Sequence, residues 1–110
     1  MNSENDSQGA LTEAVYFILV SMLQPLHGYA VMQNVARLTE GRLALGAGTL
    51  YGAINVLLER GWIRSVNPDK DSRKKEYEIT EAGRRVLAGE ITRLQQLVAI
   101  GQAEIGRTQP

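Results

Sequence analysis

The segment from Ala47 to Thr80 constrains the fold more than any other part of this chain. It opens on a helix-forming run, Ala47 to Arg60, in which Leu50, Ile54, Leu57 and Leu58 recur at helical spacing. Gly61 follows at once, where a left-handed residue would stop the helix, and Trp62 stands where it can pack back on the last turn. Two strand-like runs come next, Trp62 to Asn67 and Lys75 to Thr80. In the second, Lys75, Tyr77 and Ile79 share one face while Glu76 and Glu78 share the other. Between the runs, Asn67-Pro68-Asp69 starts a turn and Ser72 to Lys74 completes a charged tip. Thr80 is a good N-cap for a further helix, with Glu81 favourable in its first turn. Helix, basic-tipped hairpin and helix with almost no residues to spare is the order of a winged helix-turn-helix.

The residues on either side fit that frame. Leu11, Val15, Ile18, Leu19, Met22 and Leu23 predict an amphipathic first helix, capped near Thr12 and ended by Pro25. A second helix is predicted from about Gly28 to Leu38, with Tyr29, Met32, Val35 and Ala36 inward and Gly41 at its stop. Gly46 and Gly48 are poor helix-interior residues and suit a sharp turn or a close backbone approach. The last helix is predicted to reach Ile105, about 25 residues or roughly 37 Å. Along it Leu87, Ile91, Leu94 and Val98 are spaced 4, 3 and 4, and the series continues through Gly101 to Ile105. An average of 3.5 residues is a coiled-coil seam. Such a helix packs either wholly within its own domain or against a second copy. Its length favours the second copy, in a two-fold dimer, with Leu11 and Val15 assigned to the same surface. The expected organisation is a mobile tail over residues 1–9, a winged helix-turn-helix over 10–80 and a dimerisation helix over 81–106. The fold class is mainly α with a small β-hairpin.

Composition narrows the function. A chain of 110 residues fits one domain, and 44% apolar residues suffice for a core. The absence of cysteine excludes disulfides and thiol chemistry and agrees with a reducing, cytoplasmic setting. No apolar run approaches the ~18 residues of a membrane span, and the polar, acidic start carries no signal core. No nucleophile–base pair or metal-ligand cluster is present, so no enzyme, metal or cofactor is expected. Twelve basic and 12 acidic residues cancel, but unevenly. Residues 1–40 carry Arg37 against Glu4, Asp6, Glu13 and Glu40. Residues 60–85 carry eight basic side chains against five acidic ones, so positive charge gathers on the hairpin and its flanks. Local field governs contact with phosphate: the cluster alone is more simply a solvated loop, and it is the preceding helix that makes double-stranded DNA the expected partner.

The candidate DNA-binding residues follow from this layout. Thr49 and Tyr51 lie in the first turns of the helix before the hairpin, and Leu50 and Ile54 facing the core would leave Tyr51 and Asn55 projecting. Thr49 can serve a phosphate or a thymine edge, Tyr51 a phosphate oxygen, and Asn55 the N6 and N7 of adenine. Asn55 can equally be an ordinary exposed amide; for Tyr51, DNA contact is preferred over the alternative of a half-buried core residue. Arg73, Lys74 and Lys75 would place charge on phosphates beside the groove. Tyr77 either braces the hairpin or touches the DNA backbone. His27, the single histidine, has no catalytic partner at a diagnostic spacing and is expected to cap or pack, with a pH-sensing role as the alternative. Trp62 is expected to anchor the base of the hairpin.

With these residues in view, the chain resembles the short members of the PadR family of bacterial transcriptional regulators. The likeness is carried by His27-Gly28-Tyr29-Ala30-Val31-Met32, by Gly48-Thr49-Leu50-Tyr51-Gly52-Ala53-Ile54, by Glu59-Arg60-Gly61-Trp62-Ile63, and by Tyr77-Glu78-Ile79-Thr80-Glu81-Ala82-Gly83-Arg84-Arg85-Val86-Leu87. The resemblance implies a dimeric repressor that binds a DNA operator and is released by a small-molecule effector. Two departures stand out. Short members often carry basic residues where this chain has Asn55 and Val56, and an aromatic or basic residue where it has Glu76. These changes, with the zero net charge, leave a second reading open: a dimeric ligand-sensing or protein-interaction module with weak or no DNA binding. Some relatives stack flat ligands on an aromatic residue of the last helix, but no aromatic residue follows Tyr77 here. A pocket for a small hydrophobic or aromatic effector is therefore assigned to Tyr16 and Phe17 of the first helix with the partner's last helix.

Overall fold

The computed structural model describes residues 9–69 and 74–109. Within them the chain runs α1 (Glu13–Ser21), β1 (Leu26–His27), α2 (Gly28–Leu38), α3 (Ala47–Arg60), β2 (Ile63–Ser65), β3 (Glu76–Ile79) and α4 (Glu81–Thr108). The expected tail lies, but for Gly9, outside the described residues.

Local chemistry sets each boundary. Thr12 caps α1, its Oγ1 accepting the Val15 N–H at 3.1 Å. That helix stops at Ser21, four residues short of the proline expected to end it, and the Met22 N–H closes back on the Ile18 and Leu19 carbonyls. At the end of α2, Glu40 (φ 53°) and Gly41 (φ 82°) both adopt left-handed backbone, and the Gly41 N–H donates to the Ala36 carbonyl at 2.7 Å. Gly61, at φ 76°, ends α3 in the same way. Thr80 caps α4 by accepting the Gly83 N–H at 3.1 Å.

The sheet holds one strand more than the hairpin the sequence predicts. Its order is β1-β3-β2, antiparallel throughout, with Leu26 opposite Tyr77, His27 opposite Glu76, Ile63 opposite Ile79 and Ser65 opposite Tyr77. Strand β1 is two residues between Pro25 and Gly28, too short for any period to betray it. It makes β3 the central strand and joins the front of the chain to the hairpin.

The core gathers Ile18, Leu19 and Met22 of α1 and its cap, Val31 and Val35 of α2, Leu50, Ile54 and Leu57 of α3, and Trp62, Ile63, Tyr77, Ile79 and Leu87. Several positions differ from expectation: Leu58, expected in the buried stripe of α3, and Leu23, at the end of the first apolar series, are both exposed. In α2 the buried stripe is Gly28, Val31 and Val35, while Tyr29, expected inward, is exposed. The reason is local: Gly28 itself faces the core, which turns its neighbour outward. Leu87, expected on the dimer seam, is buried in the core of its own protomer.

Helix α4 docks by an uncommon device. The Glu90 carboxylate is buried, accepts the Leu11 N–H at 3.3 Å and takes two hydrogen bonds from Arg93, at 2.8 and 2.6 Å. The Arg93 guanidinium holds the Glu90 carboxyl below its usual range of about 4.5, against the opposing pull of burial. A carboxylate depressed in the folded state stabilises the fold above its unfolded-state value, and that contribution is lost as pH falls through the folded value. The Glu90→Gln variant is therefore expected to be less stable than the native chain at neutral pH. The gap should narrow below about pH 4.5, as read by urea denaturation across a pH series. A gap constant with pH would show that charge at this position is immaterial.

Candidate nucleic-acid interface

Helix α3 packs on β2, the first strand of the hairpin that follows it. Leu50, Ile54 and Leu57 pin α3 to the core, and this leaves Gly48, Thr49, Gly52, Asn55, Val56 and Glu59 outward. Gly52 sits near the middle of that outward arc. A Cβ added at Gly48 or Gly52 would meet nothing within 4 Å, so packing within the protomer does not demand glycine at either position. The helix begins without a side-chain cap, Gly46 supplying only its carbonyl to the Leu50 N–H at 3.0 Å. Free N–H groups at a helix start favour anions such as phosphate.

The hairpin is clamped below its tip. Asn67 accepts the Glu76 N–H on Oδ1 at 2.8 Å and donates from Nδ2 to the Lys74 carbonyl at 3.2 Å. On the outer face Arg64 pairs with Glu78 at 2.7 Å, and His27 lies 3.4 Å from Glu76. Lys74 is exposed and Lys75 half-buried, and neither makes an ion pair among the described residues. Arg73 falls outside the described residues.

The two tyrosines turn inward. Tyr51, expected to project beside Asn55, is half-buried and lays its ring across Gly28 at the start of α2. A Cβ at Gly28 would collide with the Tyr51 hydroxyl and stand 2.7 Å from Cζ, so the missing side chain makes the slot that holds the phenol. Tyr77 is 5% exposed and braces the hairpin from beneath. Burial pushes the Tyr77 phenol above its usual range, and the nearby Tyr51 adds to the effect. Thr49 and Asn55 stay exposed. Of the sequence-predicted residues, Thr49, Asn55 and Lys74 are exposed and Lys75 is half-buried, while Tyr51 is half-buried and Tyr77 buried. Sequence reasoning placed Gly28 at a helix start and Asn67 at a turn, but not the slot at Gly28 or the Asn67 clamp. The Gly-Tyr pairing joins distant residues, which no local pattern reveals.

A second surface runs along α1 and α4. Beyond Leu87, the seam residues Ile91, Leu94, Val98 and Ile105 are exposed, as are Leu97 and Ile100 beside them, at 37 to 62%. Leu11 and Val15 are half-buried next to the core. Tyr16 and Phe17 meet edge to face with centroids 5.2 Å apart. Tyr16 borders two grooves, one of about 340 Å³ with Ile91, Leu94 and Val98, the other of about 360 Å³ with Phe17, Glu90 and Arg93. Among the described residues no helix is long and apolar enough to cross a membrane, and no group of three acidic or histidine side chains could hold a metal ion.

Comparison with known proteins decides the family. The profile of the transcriptional regulator PadR-like family matches residues 18–89, nearly two thirds of the chain. The chain belongs to the PadR-like family. Two solved structures share its fold. A transcriptional regulator from Clostridium thermocellum is 18% identical with a TM-score of 0.61, over 89% of this chain and 93% of its own. A proposed transcriptional regulator from Thermoplasma acidophilum is 24% identical with a TM-score of 0.62, over 87% and 91%. Comparison with curated proteins gives no match. Membership makes the chain a DNA-binding transcriptional regulator with a winged helix fold.

Gly52 offers a test of which face meets DNA in this PadR-like regulator. Alanine in a helix interior is more favourable than glycine by about 0.5–1 kcal/mol, and the added methyl has open space here. Gly52→Ala should raise the melting temperature while weakening DNA binding, because the methyl protrudes from the centre of the outward arc. Tighter or unchanged binding in a titration would place that arc outside the interface.

Proposed function

We propose that this chain is a homodimeric repressor whose operator binding is relieved by a small molecule. The observation that carries the reading is the exposed outer arc of α3, followed directly by a hairpin that packs beside it and carries exposed Lys74. Helix α3 enters the major groove, with Thr49 and Asn55 toward base edges, and the hairpin lies along neighbouring phosphates. Tyr51 touches the interface only through its exposed edge. Tyr77 holds the hairpin at its angle.

The exposed apolar row of α4, from Ile91 to Ile105, supports the dimer. Side chains of this size at 3.5-residue spacing cost free energy in water, and a second copy removes them from it. Leu11 and Val15 border the same surface, whereas Leu87 serves only its own protomer. A two-fold pair would set the two α3 helices on successive major-groove faces, about 34 Å apart. Occupancy of such a site blocks polymerase. The grooves beside Tyr16 and Phe17 adjoin this interface, so a small apolar or aromatic effector there would favour one dimer geometry over another.

The alternative, a sensing module with little DNA binding, draws on the acidic residues of the hairpin. It is weakened by the engagement of Glu78, whose carboxylate faces Arg64 and is compensated within the protein.

Two measurements test the proposal. Sedimentation should give a dimer, and Val98→Glu should yield monomers that have lost operator binding while keeping native helix content. A native monomer at micromolar concentration, or a monomeric variant that binds DNA as tightly, would overturn it. Gel shift on the DNA upstream of the chain's own gene, against random competitor, separates repressor from sensing module. Replacing Lys74 and Lys75 with glutamine should weaken operator and random DNA alike. It should also lower the slope of log affinity against log salt by about 0.9 for each phosphate no longer neutralised. An unchanged slope would take the hairpin out of the interface.

A further inference from the structure

The outward arc of α3 lacks the group most often used to read DNA. Residues 47–59 contain no lysine or arginine. Arg60, the last residue of the helix, sits over the Trp62 ring with its guanidinium carbon 5.0 Å from the centroid. Reading guanine through O6 and N7 is chiefly the work of arginine or lysine. In their place the arc carries Val56, 46% exposed, next to Asn55.

Isolated exposed apolar residues are ordinary on protein surfaces. The position of Val56 sets it apart. It points away from Leu50, Ile54 and Leu57, one turn beyond Gly52, on the arc that also carries Thr49 and Asn55. A valine has a stiff, short side chain and no hydrogen-bonding group. Among major-groove base edges the 5-methyl group of thymine is the apolar feature it can meet. Asn55 supplies the matching polar chemistry, since its amide can bond N6 and N7 of adenine at once.

We propose that Val56 is a specificity-determining residue that reads thymine through its 5-methyl group, so that the half-site recognised by α3 is centred on A·T pairs rather than on guanine. The inference rests on α3 being the element that enters the major groove. Val56 packs on the methyl, and Asn55 fixes the register by pairing with adenine. The gain is apolar burial rather than charge neutralisation, so it is insensitive to salt and adds to discrimination more than to non-specific affinity.

The test uses the full chain and duplexes with a randomised central segment, followed by single thymine-to-deoxyuridine replacements in the enriched site. Deoxyuridine removes only the 5-methyl group. Enriched half-sites should have an A·T core, and one thymine per half-site should be sensitive, its replacement weakening binding about four-fold. Val56→Ser, which removes the apolar surface, should bind the thymine and deoxyuridine versions equally while keeping native helix content. Enriched sites centred on guanine, enriched sites with no sensitive thymine, or a folded Val56→Ser protein that keeps the sensitivity would each overturn the inference and leave the DNA-binding regulator standing. Failure to enrich any sequence would instead remove the sequence-specific reading above, and this inference with it.

Discussion

The architecture depends on one junction, where the end of α3 meets the start of α4 across the sheet. Thr80 is its centre. Its hydroxyl accepts the Gly83 N–H at the start of α4 and donates to the Gly61 carbonyl at the end of α3, at 2.6 Å. Its N–H donates to the Trp62 carbonyl at 2.9 Å. Gly83 permits the approach, because a side chain there would strike the Trp62 carbonyl and stand 2.7 Å from Ile79 Cγ1. One residue earlier, the Ile79 N–H reaches the Met22 carbonyl at the end of α1, at 2.8 Å. Three helix ends and the central strand are thus fixed within a few residues. The direction in which α4 leaves the domain is fixed with them, and that direction would set the separation of two α3 helices in a dimer.

Above this junction the hairpin gets its rigidity from side chains rather than length. Strands of three and four residues are marginal alone, and here β3 is paired on both edges while Tyr77 and Ile79 are buried beneath it. Tyr51 joins this platform to α2 through the slot at Gly28. A tyrosine in the second turn of α3 therefore serves to orient the helix, and the outward arc is left to smaller side chains.

Much of this was legible in the sequence, and the failures share a cause. The span of α3, its glycine stop and the two threonine caps were readable because each is set by residues within one turn. The long α4 and its apolar row were readable because a helical period repeats over many residues. What escaped were features made where distant segments meet: the two-residue β1, the inward turn of Tyr51 toward Gly28, and the Leu11–Glu90–Arg93 lock. The exposure of Tyr29 escaped for a related reason, since a helix period defines a stripe but a flanking glycine decides its phase. Of the candidate site, the exposure of Thr49, Asn55 and Lys74 was legible. The inward roles of Tyr51 and Tyr77 remained open alternatives until tertiary packing decided them.

The zero net charge, puzzling in a DNA-binding protein, has a structural explanation that bears on specificity. Much of the charge is paired inside the protomer: Arg42 with Glu13, Arg64 with Glu78, Arg93 with Glu90 and Arg107 with Glu104. Arg84 donates to the Leu23 carbonyl, and Arg37 to Asn34. These cations tie elements together or stiffen helices, so among the described residues few remain to face phosphate. Counterion release drives binding to any sequence, and a protein that neutralises few phosphates gains little from random DNA. Its preference for a site must then come from base edges and shape. A low-profile α3 arc, free of lysine and arginine up to Glu59, fits that requirement better than a basic helix would.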